Sequence, residues 1–209
     1  QNPGKKNIFG NNDQMYQGDG DKWLKFANSL RLRLAMRIVY ADPALARQQA
    51  EKAVADGVMT TNADNAKVIC TVNSINGVAS TTYHEEWRLS ATLYSVLEGY
   101  NDPRMEVYFA PVWNGGPARG LRNGLPVADR DPENYNTFSP IGLAWRPLNA
   151  GLWGRAGDNQ PMPVLLSAEA YFLRAEGALR GWNMGGTAQE LYNEGIRRSI
   201  SGTINLNTP

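Results

Sequence analysis

"SAEAYFLRAEGALRGWNMGGTAQELYNEGIRRSISG", residues 167–202, sets Ala168, Phe172, Ala175 and Leu179 on one helical face, halts at Gly181, and restarts at Thr187 with Glu190 three residues on. Apolar residues at helical spacing before a glycine predict an amphipathic helix. The T-x-x-E pattern is a capping box that opens a second helix through Leu191, Ile196 and Ile200, which stops near Gly202. The stretch therefore predicts a helical hairpin. Ala175, Gly177, Ala178 and Gly195 are small residues where the two helices must approach closely.

A second hairpin is predicted near 21–57. In "DKWLKFANSLRLRLAMRI", residues 21–38, Asp21 suits the N-cap, with Asp19 adding negative charge at the positive end of the helix dipole. At about 100° per residue, Trp23, Phe26, Ala27, Leu30, Leu34 and Ile38 form one arc, and Lys22, Lys25, Arg33 and Arg37 another. Leu32 and Met36 interrupt the basic arc and Arg31 enters the apolar one, so the helix suits packing on two sides better than a membrane surface. "ADPALARQQAEKAVADGV" follows, with Asp42 as N-cap, Pro43 at the first helical position, an inner stripe of Leu45, Gln49, Ala50, Ala53 and Val54, and Gly57 as stop. Two such hairpins, at 21–57 and 167–202, predict a mainly α fold of tetratricopeptide-like helix pairs.

Charge narrows the function. With 21 Lys+Arg against 20 Asp+Glu the chain carries no general field of the kind nucleic-acid binding uses, so the basic arc of residues 22–37 is read as scaffold. The longest apolar run, "VLLSAEAYFL", is too short and polar to span a bilayer, and Gln1 does not open a signal peptide. Cys70 has no internal partner and reads as a small buried side chain.

The middle of the chain differs. Residues 83–99 read as one more helix, and Asp102 with Pro103 as another helix start. From 111 to 163 helix signals give way to Gly, Pro and Asn, with three of the six tryptophans. A loop-rich stretch this long and this aromatic is where a site is expected.

Catalytic patterns fall short there. H-E-x-x-H, G-x-S-x-G and C-x-x-C are missing, His84 is the single histidine, and the glycines of "GGPARGLRNG" do not fit a phosphate loop. "GNNDQMYQGDGDK" lacks calcium-loop spacing and reads as a helix-capping turn. Acid pairs such as Asp129 with Asp131, or Glu133 with Asp158, could support hydrolysis only by converging in space. We expect no enzyme, no cofactor and no metal.

The loop instead supplies flat rings beside polar forks. Trp113, Tyr135, Phe138, Trp145 and Trp153 lie among Asn114, Asn134, Asn136, Arg146, Arg155 and Asp158. Rings cover the apolar faces of a sugar while amides and charged groups bond its hydroxyls. The same rings could equally anchor the loop onto the helices, or face a protein partner.

Taken in order, "DKWLKFANSLRLRLAMRI", "YNDPRMEVYF", "RNGLP", "SPIG" and "LLSAEAYFLRAEGALRGWNMGGTAQELYNEGIRRSI" resemble the SusD/RagB family, in its SusD-like outer-membrane lipoprotein branch, from about Asn7 to Gly202. The resemblance implies a single SusD-like domain fragment over 1–209, from the C-terminal half of such a protein. It implies that Trp23, Phe26, Leu30 and Leu34 are core, that Arg33 and Arg37 are tied to carboxylates or water, and that Arg31 is buried and paired. It further implies non-catalytic capture of glycan, or in some members peptide, at the external face of the outer membrane, for delivery to a SusC-type TonB-dependent transporter. The ligand-facing loops would be 111–163, with Trp113, Asn114, Tyr135, Phe138, Trp145, Trp153, Arg155 and Asp158 as candidates. The alternative is a protein-interaction module of the transporter complex, or a peptide binder, without glycan contact. Family chains are considerably longer and carry a signal peptide and a lipidated cysteine; this sequence shows neither, and Cys70 cannot be the anchor. An exposed apolar face is expected where further helices would dock.

Overall fold

A computed structural model describes residues 9–71, 73–82, 87–112, 115–126, 137–145 and 160–204, and among them the fold is mainly helical. The chain forms two compact units, one from Gln1–Ile69 with Pro163–Gly202, the other from Cys70–Met162 with Thr203–Pro209.

In the first unit, helix α1 (Gly20–Arg37) begins two residues earlier than its sequence suggests. Asp19, not Asp21, is the N-cap: its carboxylate accepts the backbone N–H groups of Asp21 and Lys22 at 3.1 and 3.2 Å. The left-handed turn at Gly18 delivers the chain to Asp19, which leaves Asp21 free for the first turn. Helix α2 (Pro43–Asp56) forms as expected, with the Asp42 carboxylate accepting from Leu45 N–H at 3.0 Å, Pro43 at the first position, and Gly57 at φ +96° closing it.

The core face of this hairpin departs from the expected stripes. Leu32, fully buried, with Ala35 and Met36, packs against Ala50, Ala53 and Val58, whereas Leu34 is 58% exposed. Trp23, Phe26 and Leu30 are half-buried on another side of α1, against Tyr16, Met59, Ala66, Leu165 and Ala170. Tyr16, Trp23 and Phe26 meet edge to face, with centroids 5.4 to 6.5 Å apart. The helix is thus packed on two sides, and those two contacts leave Leu34 and Ala27 facing out. On α2 the buried residues are Ala46, Ala50 and Ala53, while Leu45 is exposed, because alanines let α1 come close. Gln49 takes a polar task instead, accepting from Arg31 Nε at 2.8 Å. Arg31 is half-buried and also reaches Asp56 at 3.5 Å.

Helices α6 (Ser167–Leu179) and α7 (Ala188–Ile204) form the second hairpin. Between α2 and α6, the strands β1 (Ala66–Val68) and β2 (Met162–Leu165) pair in a two-stranded sheet that is too short for alternation to announce. Thr187 N–H donates to Glu190 at 3.0 Å and Glu190 N–H to Thr187 Oγ at 3.3 Å, completing the predicted capping box. Ala168, Ala175 and Leu191 are buried as read, but Leu179, 79% exposed, is not. A Cβ on Gly195 would lie 2.7 Å from the Phe172 ring, so that glycine marks close helix approach, whereas one on Gly177 would lie 2.8 Å from the sulfur of Met184, which belongs to the turn between the helices.

Arg33 ties the two hairpins together. Its guanidinium makes a two-pronged pair with Glu169, Nε to Oε1 at 2.6 Å and Nη2 to Oε2 at 2.7 Å. Asn65 Oδ1 accepts from Ser167 N–H at 2.7 Å and Asn62 Oδ1 from Ser167 Oγ at 3.1 Å, fixing the start of α6.

The second unit contains α3 (Gly77–Thr82), α4 (Ala91–Gly99) and the single-turn α5 (Met105–Tyr108). The helix expected over 83–99 begins only at Ser90, whose Oγ accepts from Leu93 N–H. Residues 87–89 are not helical, the backbone of Leu89 being used to bond the loops; residues 83–86, with His84, lie outside the described residues. Helix α5 begins two residues later than Asp102 with Pro103 suggests: Arg104 is its N-cap, and Asp102 belongs to the preceding turn, its backbone oxygen accepting from Met105 N–H at 3.1 Å. Cys70 is buried, as expected.

Candidate functional site

The loop-rich segment of the second unit is organised by backbone pairing around Leu89. This fully buried residue donates its N–H to Ser139 O at 2.8 Å and accepts from Leu121 N–H at 2.6 Å. Leu121 O accepts from Ala91 N–H, and Ser139 N–H donates to Arg119 O at 2.9 Å. The buried Ser139 hydroxyl accepts from Arg119 N–H at 2.9 Å. On the other side, Ala110 N–H bonds Pro140 O, and Gly142 N–H bonds Tyr108 O at 2.7 Å. Four separate stretches are thereby sewn together without a regular sheet.

Glycine is required at the tightest crossing. A Cβ on Gly142 would sit 1.8 Å from the Val107 carbonyl oxygen, and one on Gly120 2.6 Å from Ala91 Cα. Neither neighbour is a side chain that could swing aside.

Two of the candidate rings hang on this frame. Phe138, next to the pinned Ser139, is half-buried with the Arg119 guanidinium carbon 5.0 Å from its ring centroid, a cation–π contact. Trp145 ends a short 3₁₀ turn, Leu143–Trp145, and lies 6.3 Å from the Tyr108 ring at a 33° tilt. Trp113, Asn114, Tyr135, Trp153, Arg155 and Asp158 lie outside the described residues, as do Asp129, Asp131 and Glu133.

Three contributors escape the sequence reading. Arg119 and Tyr108 hold the two rings. Trp87, 58% exposed, stands in non-helical chain two residues before the pinned Leu89, where the sequence suggests a helix. An aromatic just ahead of the polar break at Ser90 is the signal that could have marked it.

Electrostatics here are modest. Asp102 pairs with Arg104, Nε lying 2.9 and 3.1 Å from the two carboxylate oxygens, and this bond holds Asp102 below its ordinary range against the opposing effect of burial. Among the described residues no cluster of three or more His, Cys, Asp or Glu side chains could hold a metal ion. A frame that displays rings beside a cation suits binding.

The model of the family described as SusD and RagB outer membrane lipoprotein matches residues 1–205. The chain belongs to the SusD-like family. Among solved structures, this SusD-like chain is 40% identical to a SusD-like protein from Bacteroides thetaiotaomicron, with a TM-score of 0.76 over 92% of this chain and 38% of that one. It is 41% identical to a chitin-binding SusD homologue from Flavobacterium johnsoniae, with a TM-score of 0.77 over 96% of this chain and 40% of that one. A SusD homologue from Bacteroides vulgatus is 32% identical, with a TM-score of 0.82 over 96% of this chain and 39% of that one. The SusD-like chain thus spans about two-fifths of the length of these relatives. Among curated proteins no match is found. No described helix is long and apolar enough to cross a membrane.

Proposed function

We propose that this chain is part of a non-catalytic glycan-binding protein of the bacterial cell surface. It would be held at the external face of the outer membrane by a lipid anchor and would pass its ligand to a SusC-type TonB-dependent transporter. The observation that carries the reading is the likeness, at 41% identity over 96% of the chain, to a homologue that binds chitin. The loop frame supports it: Phe138 beside Arg119 and Trp145 beside Tyr108 are rings held by pinned backbone, and preorganised aromatic surface loses little entropy on meeting a sugar.

In this reading Trp113, Asn114, Tyr135, Phe138, Trp145, Trp153, Arg155 and Asp158 contribute the platform, and capture breaks no bond. The test is affinity electrophoresis and calorimetry against chitin oligosaccharides, other soluble glycans and peptides, with Phe138→Ala, Trp113→Ala, Trp145→Ala and Trp153→Ala compared. Binding of one glycan class, weakened about tenfold or more by at least one of these changes while the fold persists, is expected. Binding of peptides alone, or glycan binding indifferent to all four rings, would overturn it.

A further inference from the structure

The first unit holds a cavity of about 420 Å³, lined by Tyr171 and Arg174 of α6, Gly185 and Gly186 of the turn, and Glu190 and Asn193 of α7. Arg174 is the unusual member. It is only 9% exposed, donates from Nε to Met184 O at 2.9 Å and from Nη2 to Gly185 O at 3.4 Å, and its guanidinium carbon lies 5.0 Å from the Tyr171 ring centroid. Carbonyls satisfy donors but neutralise no charge. Among the described residues no carboxylate is paired with Arg174. Burial accordingly disfavours its charged form.

The acids at the rim are already committed. Glu190 accepts from the Thr187 hydroxyl at 2.7 Å, and Glu194 accepts from Arg197 at 3.0 Å and is ion-paired with Arg198 at 2.8 Å. A desolvated guanidinium without a counter-ion, facing a cavity of ligand size, is costly unless a partner supplies the negative charge. Two free-energy arguments select the ligand. A flat fork matches a carboxylate. Glu194 is neutralised by its two arginines, but the Glu190 carboxylate adds negative potential that penalises a doubly charged group such as phosphate, while it and Asn193 can bond hydroxyls.

We propose that this cavity binds a hexuronate, its carboxylate seated on Arg174, its ring against Tyr171 and its hydroxyls bonded by Asn193 and Glu190. The site is independent of the loop rings and stands whether or not they bind glycan.

The test is a nuclear magnetic resonance titration of the chain with glucuronate, glucose and inorganic phosphate at constant ionic strength, following Arg174 Nε–H and the Gly185 and Gly186 amides. Saturable shifts with glucuronate, at an affinity about tenfold or more above glucose and phosphate, are expected. Asn193→Asp adds a negative charge on an exposed wall and should weaken glucuronate about tenfold with an unchanged melting curve. Arg174→Lys keeps the charge but loses the fork and should weaken it similarly; since Arg174 also holds the 184–185 carbonyls, Asn193→Asp decides if the lysine variant fails to fold. Glucose binding as well as glucuronate, phosphate binding better, no saturable shift, or full affinity in a folded Asn193→Asp chain would overturn the proposal.

Discussion

Asp13 carries more structure than its size suggests. Its buried carboxylate accepts the backbone N–H groups of Met15, Tyr16 and Gly18 and the Trp23 indole N–H, at 2.7 to 3.1 Å. Burial alone would raise its pKa, but these four donors outweigh it and hold the group at about 2, against an ordinary 3.8. Asp64 behaves likewise, its desolvation overcome by Lys25, Thr60 and Thr61, again to about 2. Because both folded values lie below the unfolded one, the ionised carboxylates stabilise the fold fully above pH 3.8, and that stabilisation is lost as pH falls toward about 2. Asp13→Asn is expected to cost about 2 kcal/mol in urea unfolding at neutral pH, since an amide must turn its N–H₂ toward existing donors. It should also shrink the loss of stability between pH 3.8 and about 2, which a urea series over that range would measure. The sequence showed "GNNDQMYQGDGDK" to be a capping turn, yet not that Asp13 would be its hub, because the Trp23 indole contact depends on the bend at Gly18.

At the scale of elements, the two close-approach glycines of the second hairpin should behave differently. Replacing a helical glycine with alanine gains up to about 1 kcal/mol of propensity. At Gly177 the new methyl meets Met184, which is fully buried and cannot withdraw without disturbing the core, so Gly177→Ala is expected to destabilise by about 1 kcal/mol net. At Gly195 it meets the half-buried Phe172 ring, which has room to turn outward, and Gly195→Ala should leave stability within about 0.5 kcal/mol. Thermal unfolding of both variants checks the contrast. Gly142→Ala is harsher, its methyl meeting the Val107 carbonyl, and hydrogen exchange should show lost protection at Tyr108, Ala110 and Ser139, with Leu32 and Ala50 unaffected.

The elements also show where sequence reading succeeds. Asp42, Pro43 and Gly57, or Thr187 and Glu190, declare helix ends because the chemistry of a cap is local. Leu34 reads as core and Leu32 as an interruption, yet the structure reverses them, because two apolar sides on one helix leave its rotation to the neighbours. The short strands pair across a distant stretch of chain and have no local signature. Phe138 and Trp145 were legible as candidate rings, whereas their companions Arg119 and Tyr108 are brought to them only by folding.

For the whole molecule, Leu24, Ala27 and Leu34 form an exposed apolar stripe on α1. Such a stripe costs solubility more than stability. The double change Leu24→Gln with Leu34→Gln is expected to lower hydrophobic-dye binding and self-association, measured by fluorescence and sedimentation, while shifting unfolding free energy by no more than about 0.5 kcal/mol per site.

The first unit is built from both ends of the chain, with Arg33 and Glu169 clasped across everything between. The intervening residues 70–162 therefore leave and return as one tethered excursion. Its ends are tied down by contacts that owe nothing to its contents. Loop-closure entropy grows only logarithmically, about 0.6 kcal/mol for each doubling of length. Descendants of such a chain can lengthen, trim or rewrite the excursion at little thermodynamic penalty while the frame that carries it stays the same.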